Sequence, residues 1–572
     1  MQQPDKKHGC DLEYVRKRKT ALLNERSSWD APAREYSQYF LPRAGRFSVS
    51  DRNQGDKRYS KIYDPTSIRC PRVLSAGMVA GISSPARPWF RLATPDPGLM
   101  QYDPVKEWLG RVEHVMRMIF ARSNLYTTFH KMYEELSVFG TACGYIVPDF
   151  NSIVHSHCFT WGEYALAQDD RGNVDTMVRE YGTTVGALVK EFGYDRCSIS
   201  VQNAYNNGNR DRTVTVTHFV SPRNERKPGS PLNTQMAYQS VYFEDGERTP
   251  LRHSGMKRFR CVAPRWATSG GDVYGTGCGA EGLGMAKQLQ LKALRNSQAI
   301  DYQTRPPLQI PASMKSSGVN TLPGGSSFLD MANNQKIQPA FESRLDLTAL
   351  GMDIADGRRQ LEQTFYVDLF LMLANDTRSN VTAREIVERH EEKMLMIGSV
   401  LERLHKEMLE PSIDLVFDEA MDARVNGQPL IPPPPPELDD MDLSVDFISV
   451  MAQAQKMVGL QSIERYATFA ANLAQIKPEA VDKLNVDGAL DAYADMLGVD
   501  QQVQTPDDVV IAVREQRQAE MEQQKQMAMA ASMAKPIADG AKAVQTLGAA
   551  HSEDGSALDA IMQQLTGMGA PQ

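Results

Sequence analysis

Residues 59–96 read YSKIYDPTSIRCPRVLSAGMVAGISSPARPWFRLATPD, and this stretch decides the fold. Pro65 suits a first helical turn, and the small-residue run Ala76, Gly77, Met78, Val79, Ala80 and Gly81 continues the helix. Ser83-Ser84-Pro85 then stops it. Pro88-Trp89-Phe90-Arg91-Leu92 predicts an extended strand that holds a large aromatic anchor. The block carries no nucleophile, metal cluster or phosphate loop. It reads as a close-packed structural module.

The chain has 572 residues, too many for one hydrophobic core, so two to four domains are expected. A hydrophobic content of 41% and a charged content of 23% are those of an ordinary soluble protein. The longest apolar stretch, near Val73 to Ile82, falls far short of the ~20 residues a bilayer needs, so no membrane association is expected. Met1 to Lys19 is polar and basic, which argues against a secretory signal and for folding in a cytosol. The seven cysteines form no Cys-x-x-Cys pair, so free thiols are expected. A net charge of −8 argues against gripping nucleic acid through phosphate neutralisation, but not against a protein that DNA slides through.

Asp11 to Ala44 is helical in pattern. Residues 103–140 carry a long helical period with Val105, Leu109, Val112, Met116, Ile119 and Phe120 on one face. A β-rich section spans Thr141 to Pro264, with strands expected at 144–147, 213–220, 236–243 and 259–262. Asn206-Asn207-Gly208-Asn209 and Glu244-Asp245-Gly246-Glu247 supply turns between strands. Residues 280–303 form a helix, a Pro/Gly-broken insert occupies 304–344, and 345–370 is helical again. Thr382-x-x-Glu385 is a capping box that opens a helix over 382–410, with Pro411 expected to close it. On it, His390, Met394, Ile397, Leu401, Leu404 and Met408 make one seam. Pro432 to Pro436 form a stiff polyproline spacer, with an SH3-type ligand as the functional alternative. Residues 444–497 return to helix. Residues 508–550 are rich in Ala, Gln, Met, Glu and Lys without aromatics, which suits a long helix packed on copies of itself or a partly disordered tail.

Three enzyme-like patterns are present. Gly277-Cys278-Gly279-Ala280-Glu281-Gly282 satisfies G-x-G-x-x-G, but Thr268 to Asp272 before it reads as a loop, where a dinucleotide site needs a strand. The bland reading is a flexible lead-in to a helix, with small residues that let neighbouring subunits approach. His155 and His157 share a strand face but lack a third ligand, so a polar face is expected. His390-Glu391-Glu392 lacks the second histidine of a zinc-protease helix, and a Walker-type phosphate loop is absent.

Four blocks, in order, resemble the head-to-tail connecting (portal) proteins of short-tailed bacteriophages. They are Trp29 to Pro42 (Trp-x6-Tyr-x2-Tyr-Phe-Leu-Pro), the 59–96 block, Tyr274-Gly275-Thr276-Gly277-Cys278-Gly279, and Thr377 to Glu410 containing Ser379-Asn380-Val381-Thr382-Ala383-Arg384-Glu385. The resemblance covers roughly residues 20–430. It implies an α+β, mostly helical ring subunit. Its parts would be a wing (1–279), stem helix 1 (280–303), clip (304–344), stem helix 2 (345–370), tunnel loop and long wing helix (371–436), crown (437–507), and a C-terminal barrel helix with a loose tail (508–572).

It further implies a closed ring of about twelve copies at one capsid vertex, assembled in the host cytoplasm, that threads double-stranded DNA. The implied partners are the large terminase, tail adaptor proteins, the major capsid and scaffolding proteins, and internal ejection proteins. No cofactor and no catalysis are implied. The DNA-channel candidates are Asp376, Thr377, Arg378, Ser379 and Asn380 of the tunnel loop, with Lys287, Lys292 and Arg295 on the first stem helix. The alternative is an oligomeric virion adaptor or scaffold that never threads DNA.

Overall fold

The computed structural model describes residues 11–48, 58–96, 102–223, 232–312, 336–340, 347–374, 397–425, 427–438, 443–447 and 510–526, with isolated positions elsewhere. The chain divides into two compact units, Met1–Gly498 and Val499–Gln572. Among the described residues, helix predominates over strand in a mixed α+β fold, and no helix is long and apolar enough to cross a membrane.

The first unit opens with helix α1 (Leu12–Tyr39), whose Asp11 cap accepts bonds from the amides of Glu13 and Tyr14. Helix α2 (Thr66–Gly81) follows, then strand β1 (Phe90–Ala93), so the helix and strand expected in 59–96 are both present. Trp89 is buried, with its ring 4.7 Å from that of Phe90 and 5.5 Å from that of Phe120. Its indole Nε1 donates to the Tyr126 hydroxyl at 3.2 Å, which satisfies the one polar atom of the anchor.

The long helical period over 103–140 resolves into two helices, α3 (Asp103–Arg122) and α4 (Leu125–Phe139). All six residues of the expected apolar face are buried. The break falls at Ser123, whose backbone turns extended, and the side-chain amide of the next residue, Asn124, is engaged by the strand Ile153–Phe159. It accepts from Ser156 N at 2.8 Å and donates to Ser156 O at 2.7 Å, as a neighbouring strand would.

The β-rich section holds β2 (Cys143–Asp149), β3 (Ile153–Phe159), β4 (Tyr164–Gln168), β5 (Val174–Thr184), β6 (Thr213–Pro222), β7 (Tyr238–Glu244), β8 (Arg252–Met256) and β9 (Cys261–Val262). Antiparallel strands β4-β5-β6-β7-β8 form one sheet, and β3-β2-β9 form a second. Helices α5 (Val185–Phe192) and α6 (Ile199–Asn206) interrupt the larger sheet between β5 and β6. The Asn206–Asn209 turn therefore follows a helix, not a strand, with Gly208 at φ +79°. Strands β5 and β8 escape the sequence pattern because arginines sit among aromatics. Arg179 on β5 lies 3.9 Å from the Phe159 ring centroid, and Arg252 on β8 lies 4.5 Å from that of Tyr242. One face of the larger sheet packs on Leu12, Val15 and Leu22 of α1.

Helix α7 (Cys278–Thr304) covers the helix expected over 280–303. The helix expected over 345–370 departs from expectation: α8 (Leu347–Thr364) ends at a break where Tyr366 has φ +52°, and α9 (Val367–Ala374) follows. Helix α10 spans residues 397–422, so Pro411 does not close it. A single wide π turn at His405–Leu409 accommodates the proline, which has no N–H to donate and crowds the preceding turn. Ile397, Leu401, Leu404 and Met408 of the predicted seam are buried; His390 and Met394 lie outside the described residues.

The polyproline run meets the core directly, with Trp108 Nε1 donating to Pro432 O at 2.9 Å. Strand β10 (Ser444–Phe447) pairs antiparallel with β1, Phe90 opposite Phe447, where a helix is expected from position 444. In the second unit, residues 510–526 are helical and exposed.

Glu135 on α4 is buried beside Thr160 and Trp161, and burial pushes its carboxyl up to about 8 against the bonds from Thr160 Oγ1 and Trp161 N. A raised carboxyl pKa means the folded chain holds a proton that the unfolded chain has lost, so this site weakens the fold as pH climbs from about 4.5 to about 8. Glu135→Gln is expected to gain stability relative to the parent over that range, by on the order of 2 kcal/mol, read from denaturant midpoints at a series of pH values. A constant difference at all pH values would contradict it.

Candidate functional site at the helix junction

Helices α1, α2, α7 and α8 meet at a junction built on two buried polar side chains. Gln290 of α7 is 4% exposed, and its Oε1 accepts from Tyr63 N at 2.6 Å and Asp64 N at 2.8 Å. Its Nε2 donates to Asp64 O at 2.9 Å and Ser67 Oγ at 3.2 Å, so the amide is fully used. Asp64, 1% exposed, then takes Thr66 N at 2.9 Å and Arg358 of α8, whose Nε and Nη2 lie 2.8 and 2.7 Å from Oδ2. Burial acts to raise the Asp64 carboxyl, but the bonds from Thr66 and Arg358 outweigh it and hold it below the ordinary aspartate value. The segment that starts α2 is thus fastened to α7 and α8 together.

The glycine-rich lead-in to α7 lies against the end of α4. A Cβ on Gly277 would fall 2.7 Å from Ser137 O, and Gly275 and Gly279 likewise abut the backbone of Gly140 and Val138. Trp266 N donates to Gly140 O at 2.8 Å, and Gly275 N to Thr141 Oγ1 at 2.8 Å. The residues before α7 form a loop, and the small residues serve a close approach inside the chain. Near the same junction, Phe370 of α9 packs on Gly77 of α2, where no Cβ could be accommodated.

The three cations expected on α7 are placed unequally. Lys287 pairs with Glu35 of α1 at 2.8 Å and Lys292 with Asp353 of α8 at 2.8 Å, while Arg295 is exposed. Asp376, Thr377, Arg378, Ser379 and Asn380 lie outside the described residues. His155 and His157 stand with ring centroids 4.7 Å apart on β3; among the described residues, no group of three or more His, Cys, Asp or Glu is arranged to hold a metal. A cleft of about 680 Å³ lies between the 169–173 turn, the 268–272 loop and α10. Its charged groups serve each other: Arg265 reaches Glu407 at 2.6 Å, and Lys406 reaches Glu402 at 2.9 Å.

From Leu12 to position 504 the chain matches the family described as bacteriophage head to tail connecting protein. It is 46% identical to the probable portal protein of Bordetella phage BPP-1 over 96% of its own length and 97% of that relative. Identity with the portal protein of Salmonella phage epsilon15 is 42%, over 98% and 99%. The chain belongs to the bacteriophage head to tail connecting proteins. This is a structural family of the virion, found at the portal vertex where the phage head meets its tail. Among solved structures, the chain resembles one from the virion of a native gene transfer agent particle, with a TM-score of 0.32 and 10% identity over 74% of this chain and 91% of that one. A second resemblance, to the neck of an empty gene transfer agent particle, has a TM-score of 0.31 and 11% identity over 74% and 92%.

The sequence missed Gln290 and Arg358 as the fasteners of the junction. A Gln within a helix gives no signal of its own, whereas Asp64 before Pro65-Thr66 does suggest a helix-start acceptor. Gln290→Ala would leave two buried amides unpaired, at a cost of about 2 kcal/mol, and Asp64→Ala would cost about 2–3 kcal/mol. Arg358→Ala, at the half-exposed end of the pair, is expected to cost less than either. Chemical denaturation of the three variants checks the order, and an equal or larger loss for Arg358→Ala would refute it.

Proposed function

We propose that the protein forms a closed ring of about twelve copies that conducts double-stranded DNA into and out of the phage head, with rotational closure satisfying a head-to-tail interface. The observation that carries this reading is the near end-to-end match to two phage portal proteins. In this reading residues 1–279 form the wing, and α7 and α8 are the stem helices flanking a clip over 304–344. The clip binds the large terminase during packaging and tail adaptor proteins afterwards, since an insert between antiparallel helices projects from their far end. Residues 437–507 form the crown, and 508–572 carry the barrel helix and tail toward internal ejection proteins. The major capsid and scaffolding proteins meet the wing.

DNA contact falls first to Asp376–Asn380, a polar segment directly after α9. Among the stem cations, Lys287 and Lys292 already serve Glu35 and Asp353, which weakens their claim, whereas Arg295 is exposed. A chain of net charge −8 suits a conduit, because a strongly basic channel would hold the duplex by its phosphates.

Electron microscopy of the purified protein is expected to show rings with a central opening of roughly 25–40 Å, wide enough for a duplex with its grooves. A stable monomer at micromolar concentration, or an assembly without a hole, would overturn the reading. Deleting Asp376–Asn380 is expected to leave ring formation intact and to reduce DNA packaging or retention; unchanged packaging and retention would count against the loop as the DNA contact.

A further inference from the structure

We propose that Cys143 and Cys261 form a redox-sensitive pair. Both stay thiols while the chain folds in a reducing cytosol, and they close to a disulfide once the particle is outside the cell. The inference goes beyond the ring reading and holds whether or not the ring conducts DNA.

The six described cysteines are all free thiols. Among them, Cys143 at the start of β2 and Cys261 on β9 have their sulfurs 3.3 Å apart, in a thiol–thiol hydrogen bond. Strand register explains why they meet. Cys261 stands opposite Tyr145, two residues along β2 from Cys143, so both cysteines point to the same face of the sheet. Cys143 itself stands opposite Phe159 of β3, which turns the neighbouring Cys158 to the other face and away from the pair. A disulfide bond is about 2 Å long, so the two sulfurs need to close by about 1 Å. Strand β9 can supply that movement, since it is a two-residue edge strand held in its sheet by β2 alone.

Burial decides when the bond forms. Cys143 is fully buried, and burial, ahead of the adjoining Cys261 sulfur, raises its thiol well above the ordinary cysteine value. The closed site therefore holds little thiolate to react. Reaction awaits the lifting of β9, which uncovers Cys261 first. Its thiol loses a proton to water, and the thiolate attacks a small-molecule disulfide such as glutathione disulfide. That S–S bond breaks, one small thiolate leaves, and a mixed disulfide remains on Cys261. As β9 returns, the Cys143 thiolate attacks the Cys261 sulfur and expels the second small thiolate. Two electrons have then passed from the protein to the small disulfide, and two protons end on the two small thiols. The bridge closes a loop spanning 118 positions, which contains every strand of the larger sheet. A bridge across so long a loop stabilises the fold mainly by restricting the unfolded chain. The particle thus gains a brace after it has left its host.

The test uses the full-length chain purified under reductant and held for a day in excess glutathione disulfide. It is then denatured with N-ethylmaleimide, digested and analysed by mass spectrometry. The expected product is a linked Cys143–Cys261 peptide pair, lighter by two hydrogens than the separate peptides, with no bridge to any other cysteine. Cys158→Ser is expected to keep the bridge. The oxidised chain is expected to unfold at a higher urea concentration than the reduced one, and dithiothreitol to reverse the shift. Virions collected with maleimide present throughout should carry the bridge, and the chain from maleimide-treated infected cells before lysis should lack it. A pair that stays reduced, glutathione left on one cysteine without a bridge, or a bridge to a different cysteine overturns the proposal. So does a bridge already formed before lysis, one absent from released virions, or an unchanged urea midpoint.

Discussion

Gln290 and Asp64 form the contact on which the rest of the first unit depends. Each is a polar group buried from water, and each has its hydrogen-bonding capacity directed at a different element. Such a node is stable only when complete, because each unpaired atom in a buried site costs far more than one bond contributes in net terms. Apolar contacts between α2, α7 and α8 would tolerate small slides of one helix past another. The amide and carboxylate do not, since a shift of one residue would break several bonds at once.

The β-rich section solves a related problem at its edges. A free strand edge offers unpaired amides and carbonyls, and proteins cover such edges to prevent unwanted pairing. Here single side chains do that. Asn124 takes both backbone groups of Ser156 on β3, Glu113 accepts from Leu92 N on β1 at 2.8 Å, and the Tyr274 hydroxyl meets Leu166 N on β4 at 3.0 Å. Two of these caps come from helices or their ends, so closing the edges also fixes the helices to the sheets. Tyr274 in turn stands 5.2 Å from the Trp161 ring, and the lead-in to α7 follows directly after it. The position of α7 is therefore set from the β-rich section as well as from α2.

Apolar periodicity and punctuation residues made part of this legible from sequence. The apolar stripe on α3, the helix–stop–strand order of 59–96, and the bounds of α7 within two residues all follow from local pattern. What stayed hidden depends on distant partners. Asn124 stands between two helices with its side-chain amide on Ser156, Arg179 belongs to a strand because Phe159 lies beneath it, and Pro411 sits inside α10 because a wide turn precedes it. The strand at 444–447 exists because β1, more than three hundred residues earlier, offers it an edge. At the candidate site, Lys287 and Lys292 look like free cations in the sequence, and their carboxylate partners on α1 and α8 are invisible there.

The seating of Phe370 on Gly77 gives α9 an uneven mechanical response. An aromatic ring pressed onto bare backbone meets steep repulsion at once if it is pushed further in, whereas drawing it out is opposed more gradually, by the loss of burial of Val367, Leu369 and Phe370. Tyr366, in a left-handed conformation, separates α9 from α8, so a load on α9 is not shared along one continuous helix. A push on α9 toward α2 would be carried by hard contact at Gly77, whereas a pull of equal size would be resisted more softly. The short helix is therefore stiffer toward α2 than away from it.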